Sequence, residues 1–214
     1  MLIALALLTP PFASGPPEAM QPSNHEARLA LVAGLSPLSM ALLRAGFALE
    51  IIAAVLLAHA VLGLYVLLRV SEPQRATIAA GLGVIATVWF FGEHLPRFVL
   101  LQLASEYGGA NQAARTALGA GNAVAETFSA AAGTAFSLAI GACLIPFGLA
   151  IRTSGLLSGW LATTAQIVGI VSVLAGLASL TTYELGFFQL PALLLVILWF
   201  TAAGLFLVRR TAQP

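Results

Sequence analysis

The sequence predicts an all-α, polytopic bundle of transmembrane helices, with five clear spans and a marginal or truncated sixth helix at the N-terminus. Three observations predict it. Of 214 residues, 60% are hydrophobic and only 8% are charged. A soluble domain carries about 25% charged residues, so this chain lacks the side chains to clothe a water-facing surface. Mean hydropathy is +0.99. The apolar residues also fall into runs of about 20–25, the length that crosses a hydrocarbon core. Five or six such runs use the whole length, so residues 1–214 read as a single membrane domain with no separate soluble part.

The charges exclude further classes. All nine basic residues are arginine and all eight acidic ones are glutamate. A net charge of +1 provides no electrostatic footprint for nucleic acid. Membrane lipids are the expected partners, with a small molecule or a membrane-protein partner left open. Cys143 is the sole cysteine, which excludes an intrachain disulfide and clusters held by several thiolates.

Residues 1–13, MLIALALLTPPFA, form an apolar run ended by Pro10 and Pro11. It is too short to cross a bilayer alone. It fits a secretory signal peptide without the usual basic start, a re-entrant piece, or a shortened first span. Residues 14–36 are the one long polar stretch and read as an external loop. Ser23 and Glu26 fit a capping box before RLALVAGL, which predicts a short helix at the membrane interface, ended near Ser36-Pro37. The spans follow at about 42–70, 76–104, 123–151, 156–180 and 187–208. Ser71 is placed to cap the second span, with Pro73 in its first turn. SEYGGANQAARTALGAGN, residues 105–122, reads as a small, polar connection. The third span ends around Pro146–Arg152, TTYELG is a short loop, and Arg209 and Arg210 close the fifth span.

Arginine placement sets an orientation. Arg69, Arg75, Arg152, Arg209 and Arg210 fall on one side of five alternating spans, which should be the cytoplasm, while Arg28 and Arg115 lie opposite. The C-terminus is expected in the cytoplasm and the protein in the cell (inner or plasma) membrane. Lipid provides no hydrophobic drive between helices, so small residues must let them approach. Gly133, Ser137 and Gly141 form such a face on the third span, with Ala131, Ala135 and Ala139 beside them. Ala79, Gly83 and Thr87 do so on the second, and Ala165, Gly169, Ser172 and Gly176 on the fourth.

Ionisable groups inside spans are costly and mark function by default. Arg44 and Glu50 lie in the outer part of the first span. Glu93, His94 and Arg97 lie in the outer part of the second, and Glu126 in the first turns of the third. Glu93 and Arg97 are four apart and share a helix face, as His94 and Arg97 do. Pro96 removes the amide that the Gly92 carbonyl would meet, which predicts a kink inside GEHLPR. Shared depth suggests that Glu50, Glu93, His94, Arg97, Glu126 and Arg44 line one polar cavity open to the outer side. A plain structural reading stands beside this. Arg44 and Arg97 can snorkel, Glu126 suits a helix N-terminus, and Glu93 with Arg97 can neutralise each other.

His94 and His59 differ in depth by roughly 10 Å at 1.5 Å per residue, which argues against a shared haem, and His59 reads as a buried, hydrogen-bonded histidine. No cofactor or metal is expected. HExxH, a Walker loop and GxSxG do not occur, so no residue reads as catalytic. The expected role is a membrane-embedded binding or interaction module. The alternative is a small transporter or permease component, and an enzyme acting on lipid or quinone comes third.

Phe136–Leu180 carries Arg152 at a helix end, Ser154-Gly155 in a turn and Trp160-Leu161 opening a Gly-rich helix. With LEIIAAVLL around Glu50, this stretch resembles a bacterial membrane family known as domain of unknown function 4386. The resemblance implies six helices and no assigned activity. The chain departs from the family pattern in having no glutamate in the last span after Glu184, and in the order Glu93 then Arg97.

Overall fold

A computed structural model describes residues 24–181 and 188–211. The first apolar run, Ser23, Glu184 and most of TTYELG lie outside them. The described residues form six helices: α1 (His25–Ala33), α2 (Pro37–Leu68), α3 (Pro73–Tyr107), α4 (Gln112–Ser154), α5 (Gly159–Ser179) and α6 (Gln189–Thr211). No strand occurs among them. Five helices are long and apolar enough to cross a membrane.

The helix starts show which local signals win. Asn24 caps α1, its side chain accepting from the Ala27 amide at 3.0 Å, so the cap falls one residue after the expected Ser23. α2 begins at Pro37, earlier than the expected 42. Ser36 Oγ accepts from the Ser39 amide at 3.2 Å, and Pro37 holds the first helical position, where a missing N–H costs little. Ser71 does not cap α3. Its hydroxyl donates back to the Leu68 carbonyl of α2 at 3.3 Å.

The largest correction concerns residues 105–122. α3 runs on to Tyr107 and α4 starts at Gln112, leaving a connection of only residues 108–111. Asn111 caps α4, accepting from the Ala114 amide at 2.9 Å. The alanine-rich segment beyond it has the highest intrinsic helix preference. α4 also continues through Pro146 to Ser154, past the expected end. At 43 residues it is about 65 Å long, twice the thickness of a hydrocarbon core.

The chain divides into two compact units, one of residues 1–53 and 91–131, the other of 54–90 and 132–214. In the first, α1 packs Leu29 and Val32, both fully buried, against Leu43 and Phe47 of α2 and Leu101, Ala104 and Tyr107 of α3. Protein side chains therefore cover the apolar face of α1, where an interfacial helix would bury it in lipid.

The second unit is held by close backbone approach. A Cβ on Gly141 of α4 would lie 2.5 Å from the Gly169 carbonyl oxygen of α5, and one on Gly148 would lie 2.7 Å from that of Ala162. Gly176 packs on Leu138, and Gly83 of α3 packs on Val61 and Cys143. Gly83, Gly141, Gly169 and Gly176 belong to the small-residue faces expected from the sequence, and Gly148 extends them. Polar side chains add to them: Gln189 donates to Ser179 at 2.7 Å and to Thr134 at 3.1 Å, and Trp199 donates to the Leu161 carbonyl at 3.0 Å. Gly155, at φ 64°, ends α4 with its amide on the Ile151 carbonyl, a left-handed cap that glycine adopts without strain. Large apolar side chains such as Leu56, Val66, Val88, Leu174 and Leu198 remain more than 45% exposed, as suits helices whose solvent is lipid.

Candidate functional site

The candidate site lies within the first unit, where α2 and α3 meet. α2 contributes Phe47 and Glu50, three apart and so on one face. α3 contributes Glu93, His94 and Arg97 from GEHLPR. Glu50 and His94 are each only 2% exposed. Arg97 donates through Nη1 to both carboxylate oxygens of Glu50, at 2.7 Å each. Its Nη2 lies 3.9 Å from Glu93 Oε1, and His94 Nε2 lies 3.6 Å from Glu50 Oε2. The inter-helix partner thus takes the close hydrogen bonds, and the i,i+4 pairing of Glu93 with Arg97 is the longer contact. The guanidinium also sits over the Phe47 ring, 5.9 Å from its centroid, and Phe47 meets Phe98 edge to face at 5.8 Å. A cation here has a carboxylate in hydrogen-bonding range and an aromatic face beside it.

α3 remains helical through Pro96. Pro96 nevertheless leaves the Gly92 carbonyl without its intrahelical amide. Ser129 of α4 donates to the adjacent Glu93 carbonyl at 2.6 Å, tying the proline-bearing turn to a neighbouring helix.

Glu126 belongs to a different constellation. It accepts from Arg28 at 2.6 Å and from Asn122 at 2.9 Å, and lies 3.0 Å from His25 Nδ1. The partners join α1 to α4. Arg44 is exposed on α2. The six expected site residues therefore divide: Glu50, Glu93, His94 and Arg97 come together, Glu126 pairs with α1, and Arg44 faces outward. His59 also differs from expectation. It is exposed, and its Nδ1 donates to the Val55 carbonyl one turn back at 2.8 Å, so a helical residue satisfies itself without burial. Among the described residues no three His, Cys, Asp or Glu side chains gather as a metal-ion site.

Sequence reasoning missed Phe47, Ser129, and the α1 pair His25 and Arg28. The last two had a signal, since residues three apart share a helix face. For Ser129 the sequence pattern held no signal.

The sequence model of the family described as Domain of unknown function (DUF4386) matches residues 3–210. The chain belongs to that family. The resemblance visible in Phe136–Leu180 and around Glu50 thus extends over nearly the whole length, GEHLPR included. No curated protein and no solved structure matches the chain. In this DUF4386 member the charged cluster of α2 and α3 lies within the matched residues.

Proposed function

We propose that this integral membrane protein is a membrane-embedded binding module whose site is the cluster of Glu50, Glu93, His94 and Arg97. One observation carries the reading: Glu50 is 2% exposed yet is held as a carboxylate acceptor by Arg97 within helices suited to lipid. Burying such a pair gains little stability, because well-packed apolar residues in its place are often as stable or more so. Charge kept inside a span is therefore best explained by what it binds. Glutamine at Glu50 or Glu93, tested in a native host, is expected to impair growth or ligand-linked melting while the protein still accumulates. Unchanged growth, stability and ligand-linked melting in both variants would overturn the reading.

A second reading is a small transporter or permease component. Pro96 supports it, since α3, though continuous, lacks one backbone amide bond beside its charged residues, and weak points in helices near charge are where transporters build their sites. We further infer a cell-membrane location with a cytoplasmic C-terminus, from Arg69, Arg75, Arg152 and Arg209 at helix ends on one expected side. A thiol-labelling scan, with single cysteines placed at Ser71 and Gly108 in a Cys143→Ser background, tests this. The Gly108 position should react in intact cells and the Ser71 position only after lysis.

A further inference from the structure

The second unit gathers its positive charge at helix ends. Arg69 lies just past α2, Arg75 in the first turn of α3, Arg152 in the last turn of α4 and Arg209 near the end of α6. The one carboxylate among the unit's described side chains is Glu72, and Arg75 takes it at 3.1 Å. Arg75 Nη1 also donates to Thr153 Oγ1 at 3.1 Å, which brings the start of α3 to the end of α4 beside Arg152. Arg69 and Arg152 are exposed and meet no carboxylate among the described residues. Arg69 stands over the Tyr65 ring, 6.0 Å from its centroid, a contact that leaves its N–H groups able to donate.

The start of α5 adds to this end. Ser158 holds the N-cap position, but its hydroxyl meets no hydrogen-bond partner, and the first turn carries no acidic residue. Gly159 and Trp160 are exposed, so the positive end of the helix dipole is uncompensated there. The surroundings select the kind of anion. Val66 and Val70 flank Arg69 at 56% and 87% exposure, Leu149 is exposed one turn before Arg152, and Trp160 is 54% exposed. Positive charge bordered by open apolar side chains matches an amphiphile, whose phosphate sits beside its acyl chains. Tryptophan is enriched at the border where headgroups meet those chains. A free anion gains nothing from the apolar half.

We propose that Arg69, Arg152 and the first turn of α5 form a binding site for the phosphate headgroup of an anionic phospholipid. The phosphate oxygens accept from the guanidinium N–H groups, the start of α5 presents charge of the same sign, and the acyl chains lie along the apolar side chains beside them. Basic clusters next to spans attract the anionic headgroups of the cytoplasmic leaflet, the side on which these arginines are expected. The site uses no residue of the Glu50 cluster, so it stands or falls apart from the binding-module reading.

The test uses the full chain in nonionic micelles, titrated with phosphatidylglycerol or phosphatidylcholine carrying brominated acyl chains, with quenching of tryptophan fluorescence reporting occupancy. Phosphatidylglycerol should bind more tightly than phosphatidylcholine, and sodium chloride should shrink the preference. Arg152→Gln should weaken phosphatidylglycerol binding about fivefold and Arg69→Gln/Arg152→Gln about thirtyfold, at the contribution of one arginine beside an anionic surface. Arg152→Lys, which keeps the charge, should retain most of the binding. Arg44→Gln, at an exposed arginine of the first unit, should match the wild type. Each variant should keep the wild-type melting temperature in phosphatidylcholine nanodiscs, since the substituted side chains are exposed. Phosphatidylglycerol binding no more tightly than phosphatidylcholine, or equally well to the double variant, overturns the proposal. A loss in Arg44→Gln as large as in Arg152→Gln shows attraction to net charge alone and also overturns it. If inorganic phosphate at equal concentration displaces the lipid, the site takes a free phosphate and the lipid assignment fails.

Discussion

The unit of residues 1–53 and 91–131 and the unit of residues 54–90 and 132–214 hold their helices by opposite chemistry. In the first, side chains with charge or a ring make the decisive contacts: Arg97 with Glu50 and Phe47, and Arg28 with Glu126. A close glycine contact there follows suit, since a Cβ on Gly119 would lie 2.6 Å from Glu26 Cγ. In the second, backbone meets backbone at Gly141 and Gly169, with hydroxyl and amide groups as glue. Small-residue seams are what association in lipid requires, whereas buried ion pairs exceed that requirement. The proposed binding role rests on that excess of charge in the first unit.

Four substitutions break or sharpen this contrast. The largest effect is expected from Glu50→Ala, which strands Arg97 and should cost about 3–5 kcal/mol. Chemical unfolding in mixed micelles measures it, with the double variant Glu50→Leu/Arg97→Leu as the counterpart. The double variant should recover most of the lost stability and none of the binding. If it also recovers binding, the pair is scaffolding and the contrast between the units disappears.

Next comes Gly141→Val, predicted to cost about 2–3 kcal/mol by overpacking against the Gly169 backbone. Its thermal transition in lipid nanodiscs should fall, and an unchanged transition would show that the Gly141–Gly169 approach is not tight. Asn111→Ala removes a helix cap and should cost about 1 kcal/mol. Hydrogen exchange at the α4 N-terminus would report it, and no change there would contradict the short connection between α3 and α4. The smallest effect is expected from Gln189→Ala. Polar contacts between membrane helices average about 0.6 kcal/mol, so a small shift in the unfolding midpoint is the outcome. A loss as large as that of Glu50→Ala would show that the second unit also depends on buried polarity.

The sequence made the five spans and their seams legible because length, hydropathy and glycine spacing are local properties. Two boundaries misled for local reasons. Pro37 read as the end of a helix when, after Ser36, it begins one, and GGAN read as the middle of a long loop when Asn111 caps α4. The partner of Arg97 was harder to foresee. Counting residues placed Glu50 and Arg97 at similar depth, but which faces meet depends on the rotation of α2 against α3. Spacing along one helix favoured Glu93 instead. The same limit hid the division between Glu126 and Glu50, since the attachment of α1 to α4 leaves no periodic trace.

The left-handed turn at Gly155 has a consequence for how the chain is made. Gly141 and Gly169 stand only 28 residues apart in sequence, and a turn of residues 155–158 joins their helices. Contacts of such short separation close early. As the ribosome delivers the chain, α4 and α5 can leave the insertion machinery already zipped together, before α6 has been synthesised. The hairpin then offers a finished wall on which Gln189 and Trp199 find their acceptors when α6 arrives.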